Sequence, residues 1–170
     1  VTVIAVTGHM DLTADTAEAV RTALRQLLEA YPAGSLVGIS CIARGSDSLF
    51  AEAVLQAGGR LVVVLPSRDY RESKVKRDHA DLFDRLVKSA NEVLTMPYDS
   101  ANREAYEAAN RQMLSRADRL VAVWDGTPPG GKGGGTADVV VEAREMGLPV
   151  DVVWPTGASR ESRRDHGTRP

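Results

Sequence analysis

The sequence predicts an α/β protein: a doubly wound, predominantly parallel sheet with helices on both faces. Three observations predict it. Apolar runs of strand length alternate with longer amphipathic stretches along most of the 170 residues, which is the rhythm of βα units. The opening run, Val1 to Val6, carries no charge and is rich in β-branched residues, as a strand covered on both faces must be. Glycine, proline or polar clusters mark each change of period.

The elements follow in order. After the first strand, Ala17, Val20, Leu24, Leu27 and Leu28 recur at helical spacing between Thr13 and Ala30, and Pro32-Ala33-Gly34 breaks the pattern. Leu36 to Ala43 is the second strand. Leu49, Phe50, Ala53, Val54 and Ala57 mark a helix that Gly58-Gly59 ends. Arg60 to Leu65 is the third strand, stopped by Pro66. Ser67 to Lys88 holds seven Lys/Arg and five Asp/Glu and reads as a mostly helical outer segment. Glu92 to Met96 is a short edge strand, and Asn102 to Ala117 a helix. Leu120 to Trp124 is a central strand, followed by a loop from Asp125 to Gly135. A helix from Thr136 to Met146 and a strand from Leu148 to Trp154 close the pattern.

Residues 1–155 are therefore expected to form one domain. Residues 156–170 contain four arginines, two acids, two glycines and a proline, with nothing apolar larger than Ala158. Such a segment buries too little to fold alone and is expected to be a flexible C-terminal tail. The expected strand order is fourth, third, second, first, fifth, sixth. It reverses between the first and fifth strands, and sites in such sheets lie beyond the strand ends at the reversal.

Composition narrows the chemistry. Cys41 is the sole cysteine and His9, His79 and His166 are the only histidines, so neither a thiolate zinc cluster nor an H-E-x-x-H site is expected, and no metal is assigned. No apolar run reaches membrane-spanning length and no signal peptide is present, so a cytoplasmic location without membrane association is expected. The formal net charge is −2. Without a Lys/Arg stripe interleaved with aromatics, nucleic acid is not expected as a partner.

Candidate ligand residues fall on three strand-to-helix turns. Six of the 15 glycines lie between Gly126 and Gly135. Bare glycines let backbone N–H groups approach a phosphate, and the following helix adds its positive end. Gly133, Gly134, Gly135 and Thr136 are thus expected at the phosphate; a plain surface loop is the alternative. This is not a Walker A loop, which requires G-x-x-x-x-G-K-[ST]. Gly8 does not open a G-x-G-x-x-G either, because Met10 stands where the second glycine belongs. Gly8 permits a tight exit from the first strand, and His9 could donate to phosphate or ribose. In Arg44-Gly45-Ser46-Asp47, Ser46 caps the next helix and Arg44 supplies a fork of donors. Asp47 faces sugar hydroxyls, or else pairs with Arg44. Asp125, leaving the fifth strand, accepts from ribose or caps the glycine loop.

Gly8-His9, Ala43 to Asp47, Asn110 through Asp118 to Trp124-Asp125-Gly126, and Gly133 to Asp138 together resemble the SLOG superfamily. That group includes the LOG phosphoribohydrolases, the DNA-processing protein DprA and small nucleotide-binding proteins. The resemblance covers about residues 1–154. It implies a Rossmann-like fold, a nucleotide or nucleotide-derived ligand, a sensor role and a homodimer or higher homo-oligomer. No cofactor is assigned beyond that nucleotide. As a LOG-type enzyme, the protein would hydrolyse nucleoside 5′-monophosphates with Arg103 and Asp138 or Glu142 as the candidate catalytic residues. The family pattern P-G-G-x-G-T-x-x-E places its glutamate where this chain has Val139, which leaves catalysis open. A protein-interaction scaffold with a vestigial crevice is the third reading.

Overall fold

The computed structural model describes residues 1–130 and 135–161. Among these residues six strands form one sheet: β1 (Thr2–Gly8), β2 (Leu36–Ser40), β3 (Arg60–Leu65), β4 (Glu92–Thr95), β5 (Arg119–Val123) and β6 (Val150–Val153). Their order is β4-β3-β2-β1-β5-β6, and every pairing is parallel. The chain winds outward from β1 to β4, then returns to place β5 on the other side of β1. The expected reversal is therefore present between β1 and β5.

Helices α1 (Ala14–Leu28), α2 (Ser46–Gln56), α3 (Tyr70–Lys74), α4 (Arg77–Ser89), α5 (Arg103–Ser115) and α6 (Thr136–Glu145) connect the strands. The two-residue period sorts the strand side chains between the layers. Ile4, Val6, Val121 and Val123 pack with Val20, Leu24 and Phe50 of α1 and α2. Ala5, Leu120 and Ala122 face Met113, Leu114 and Val140 of α5 and α6. A third cluster sets Leu61 and Val63 under Phe83 and Leu86 of α4. Each fully buried Val, Leu, Ile or Phe contributes about 1.5–3 kcal/mol, so both faces of the sheet are anchored.

Two departures from the sequence reading bear on the site. The second strand stops at Ser40 rather than Ala43, because Ile42 adopts a left-handed backbone with φ +44°. The Ser40 hydroxyl accepts the Ile42 N–H at 3.0 Å, and the Ile42 carbonyl takes a bond from His79 Nε2 at 3.1 Å. The charged segment after Pro66 is two helices, since Val75 is extended and joins the partly buried residues of the third cluster.

The start of the expected tail is tied down. The Ser159 carbonyl accepts the Thr13 N–H at 3.3 Å, and Ser159 N–H donates to the Thr16 hydroxyl at 2.8 Å. Arg160 forms an antiparallel bridge with Leu12. Residues 156–161 thus lie along the entrance to α1. Gly133 and Gly134, with Gly131 and Lys132, fall outside the described residues. Among the described residues no helix is long and apolar enough to cross a membrane.

Candidate functional site

The turns after β1, β2, β3 and β5 surround a crevice of about 970 Å³ at the strand reversal. That is large enough for a small organic ligand. Of the expected ligand residues, Gly8, His9, Asp47, Gly135 and Thr136 line it, as do Arg103 and Asp138.

Its base is an interlock between β1 and α2. Gly45 has φ +81°, and an added Cβ would lie 2.8 Å from the Met10 carbonyl and 2.9 Å from that of His9. A Cβ on Gly8 would lie 2.4 Å from Ser46 Cβ and 2.8 Å from Val123 Cβ. Glycine is therefore required by close backbone approach at both positions. The Ser46 hydroxyl is buried and donates to the His9 carbonyl at 2.7 Å. Gly45 and Ser46 act here as the joint that fixes the crevice floor, and neither borders the open space. Arg44 also stands outside it, its half-exposed guanidinium paired with Asp78 of α4.

His9 extends the β1–β5 ladder by one residue, its N–H donating to the Val123 carbonyl at 3.1 Å. The ring is buried and meets Trp154 edge-on at 5.6 Å between centroids. Nε2 accepts the Asp125 N–H at 3.1 Å and lies 3.1 Å from Asp125 Oδ1. An acceptor Nε2 means a neutral ring with its proton on Nδ1. Burial and the Arg160 cation both lower the His9 pKa, outweighing the pull of Asp125. The contact with Asp125 is thus a neutral-ring contact at pH 7; a true ion pair would form only on protonation.

Asp125 itself does not line the crevice. Burial opposes its ionisation, but bonds from the Thr127 hydroxyl and N–H outweigh it, and its pKa is held at about 2. Its Oδ1 accepts the Thr127 N–H at 2.9 Å, an Asx turn that shapes the start of the loop. The sequence reading missed the cation above it. Arg160 Nε donates to Asp11 Oδ1 at 2.8 Å, and Nη1 lies 3.6 Å from Asp125 Oδ2. This brings a guanidinium to the crevice from the segment after β6.

The three catalytic candidates are dispersed. Arg103 is largely exposed and sits 3.4 Å from Glu107. Asp138 Oδ2 accepts the Gly135 N–H at 3.2 Å and so caps α6. Glu142 is a turn further along α6 and does not line the crevice, while Val139 is buried against its wall.

At the β2–β3 end, Cys41, Pro66, Tyr70, Tyr106 and Met113 make an apolar and aromatic slot. The Tyr70 and Tyr106 rings meet edge-on at 6.4 Å. Burial raises the Cys41 thiol pKa, which keeps it protonated and weakly nucleophilic. Burial likewise pushes the Asp47 carboxyl up to about 7, against the opposing hydrogen bond from the Ala43 N–H.

No protein-family model matches the chain, and no curated protein matches it. Solved structures do. DNA processing protein A from Streptococcus pneumoniae superposes with a TM-score of 0.67 at 19% identity, covering 92% of this chain and 51% of that one. This chain thus spans about half the length of that protein. DNA processing protein A from Helicobacter pylori, described for its single-stranded DNA binding mode, gives 0.66 at 17% identity over 94% and 68%. The Moco carrier protein of Chlamydomonas reinhardtii gives 0.56 at 22% identity over 89% and 75%. The chain shares the Rossmann-like fold of these structures. One expectation is corrected here. Nucleic acid was set aside on the near-neutral charge, yet two structures with this fold are DNA processing proteins, one of them bearing a single-stranded DNA binding mode. Overall charge balance does not exclude a local phosphate-tracking surface.

Proposed function

We propose that the crevice binds a nucleotide or nucleotide-derived ligand, with its phosphate toward the start of α6 and its base in the Tyr70–Tyr106 slot. One observation carries this reading: a single crevice at the strand reversal is lined both by anion-favouring groups (Gly135 and Thr136 at the start of α6, and Arg160) and, toward its other end, by aromatic rings (Tyr70, Tyr106). The first end suits an anion, because helix-start N–H groups and a guanidinium both favour negative charge. The second suits a flat ring. The single-stranded DNA binding of the Helicobacter pylori protein and the cofactor cargo of the Moco carrier are consistent with a phosphate-bearing ligand on this fold. Gly133 and Gly134 are assigned to the same phosphate from the sequence alone.

Binding is favoured over hydrolysis. Val139 occupies the position of the LOG glutamate and Asp138 is engaged in capping, so no carboxylate is supplied from α6 to a ribose. The test is native mass spectrometry of gently purified protein, followed by titration with nucleoside monophosphates and a short single-stranded oligonucleotide. A retained or saturably bound nucleotide without release of free base is expected. Absence of binding to every nucleotide form would overturn the proposal, and free-base release would replace it with the enzyme reading.

A further inference from the structure

Among the described residues, Asp47 is the one acidic side chain lining the crevice without an assigned task. It stands in the first turn of α2, and the Ser40 hydroxyl holds its backbone carbonyl at 3.0 Å. The turn before it is over-determined. Ile42 is kept in its left-handed conformation by Ser40 and His79, and the Ser48 hydroxyl donates to the Ala43 carbonyl at 2.7 Å. A strained conformation persists only where the surroundings enforce it. Here the result is that the Ala43 N–H is turned toward the Asp47 carboxylate. Among the described residues no side chain donates a hydrogen bond to that carboxylate and no cation pairs with it. Its acceptor capacity is therefore largely unspent, in a slot walled by Cys41, Tyr70 and Tyr106.

A carboxylate so placed needs donors from the ligand. A cationic ligand is disfavoured, since Lys74, Arg103 and Arg160 line the same crevice. Neutral ligands offer two adjacent donors either as a ribose diol or as the N–H edge of a flat ring, and the Tyr70 and Tyr106 walls favour the flat ring. Among nucleobases, guanine presents that edge through N1–H and the 2-amino group, and a carboxylate accepts both in parallel. Adenine presents an acceptor at N1 and would meet the carboxylate lone pair to lone pair.

We infer that Asp47 reads the base, and that the crevice selects a guanine-type nucleotide by paired N–H donation to its carboxylate. This rests on the nucleotide reading above and extends it to the identity of the base. Two donors to a charged acceptor change affinity at least tenfold. The groups facing Asp47 are the Cys41 thiol and the Tyr70 hydroxyl; Tyr106, Lys74 and Arg103 face the same space from α5 and α3, and His9 and Asp11 from the β1 turn.

The experiment is calorimetric titration of the full chain with GMP, IMP and AMP at pH 8, repeated with Asp47→Asn. The parent is expected to bind GMP at least about tenfold more tightly than AMP, with IMP between them because it lacks the 2-amino group. Asn offers one acceptor and one donor, so D47N should lose GMP affinity by about tenfold or more while retaining or gaining AMP. A purely structural role at the start of α2 would lower the melting temperature without changing that ratio. Equal binding of GMP and AMP by the parent, or an equal loss of both in the folded variant, overturns the inference and leaves the nucleotide proposal standing. Failure of all three to bind overturns the inference, and the nucleotide proposal falls with it when the other nucleoside monophosphates and the oligonucleotide fail as well.

Discussion

Gly8→Ala tests the joint on which the crevice is built. The new Cβ would sit 2.4 Å from Ser46 Cβ and 2.8 Å from Val123 Cβ, against an ordinary carbon–carbon contact of about 3.5–4.0 Å. Neither neighbour can rotate away, because a Cβ is fixed by its backbone. Relief requires α2 or β5 to move by about 1 Å within a core packed as densely as a crystal. Overpacking of this kind costs about 3 kcal/mol, which for a chain of this size lowers the melting temperature by roughly 6–12 °C. Ser46→Gly alone removes the 2.7 Å bond to the His9 carbonyl and costs about 1–2 kcal/mol. In the double variant the Ser46 Cβ is gone, so the two costs should fall short of their sum by about 1 kcal/mol or more. The rescue is partial, since Val123 Cβ remains. Urea unfolding with an unchanged m-value is the assay. Additivity within about 0.5 kcal/mol would show that Gly8 and Ser46 do not collide, and the account of the interlock would fail.

Further outcomes follow from individual side chains. Arg160→Gln should weaken a nucleotide more than its nucleoside, by about tenfold, because the lost partner is a charged donor; its unfolding free energy should move by less than about 1 kcal/mol, the ion pairs being half-exposed. Calorimetry with a matched nucleotide and nucleoside checks it, and equal losses would remove Arg160 from the anion. Arg44→Ala should leave nucleotide affinity within about twofold, since that guanidinium is turned toward Asp78 on α4; a large loss on titration would return Arg44 to the site. In the folded protein the Asp47 pKa stands at about 7, above its ordinary 3.8. The fold therefore binds the extra proton, and the stability due to Asp47 is present below pH 4 and lost as pH rises through 7. Asp47→Asn should be more stable than the parent at pH 8, with the gap closing toward pH 4, as read by thermal melts across that range. His9 has the opposite sign: its lowered pKa costs stability as pH falls below 6.5, a slope that His9→Gln should remove.

The sheet was legible because its signal is local. Uncharged β-branched runs such as Val1 to Val6 and Leu120 to Val123 can lie only inside a covered sheet, and right-handed crossovers leave few strand orders. The residues bordering the crevice were legible where a turn demands a special residue, as at Gly8 and Gly45, although Gly45 proved to serve packing. Arg44 misled for a plain reason: a guanidinium beside a glycine turn looks the same whether its acceptor is a ligand or Asp78, and Asp78 is 34 residues away. Arg160 left no trace at all. Its segment has no apolar stripe or period, and it is ordered by backbone pairing with Leu12 across 148 residues of sequence. Tyr70 and Tyr106 were hidden in charged or amphipathic helices, where a single aromatic residue has no period of its own.

The Leu12–Arg160 bridge has a practical consequence for handling this protein. A protease cut just after Trp154, or a purification handle spliced there, would spare all six strands and preserve a normal far-ultraviolet spectrum. It would nonetheless carry away the guanidinium that faces Asp11 and Asp125. Material judged intact by its secondary structure would then lack the cation proposed to meet the phosphate, so any negative binding result should be accompanied by an intact mass.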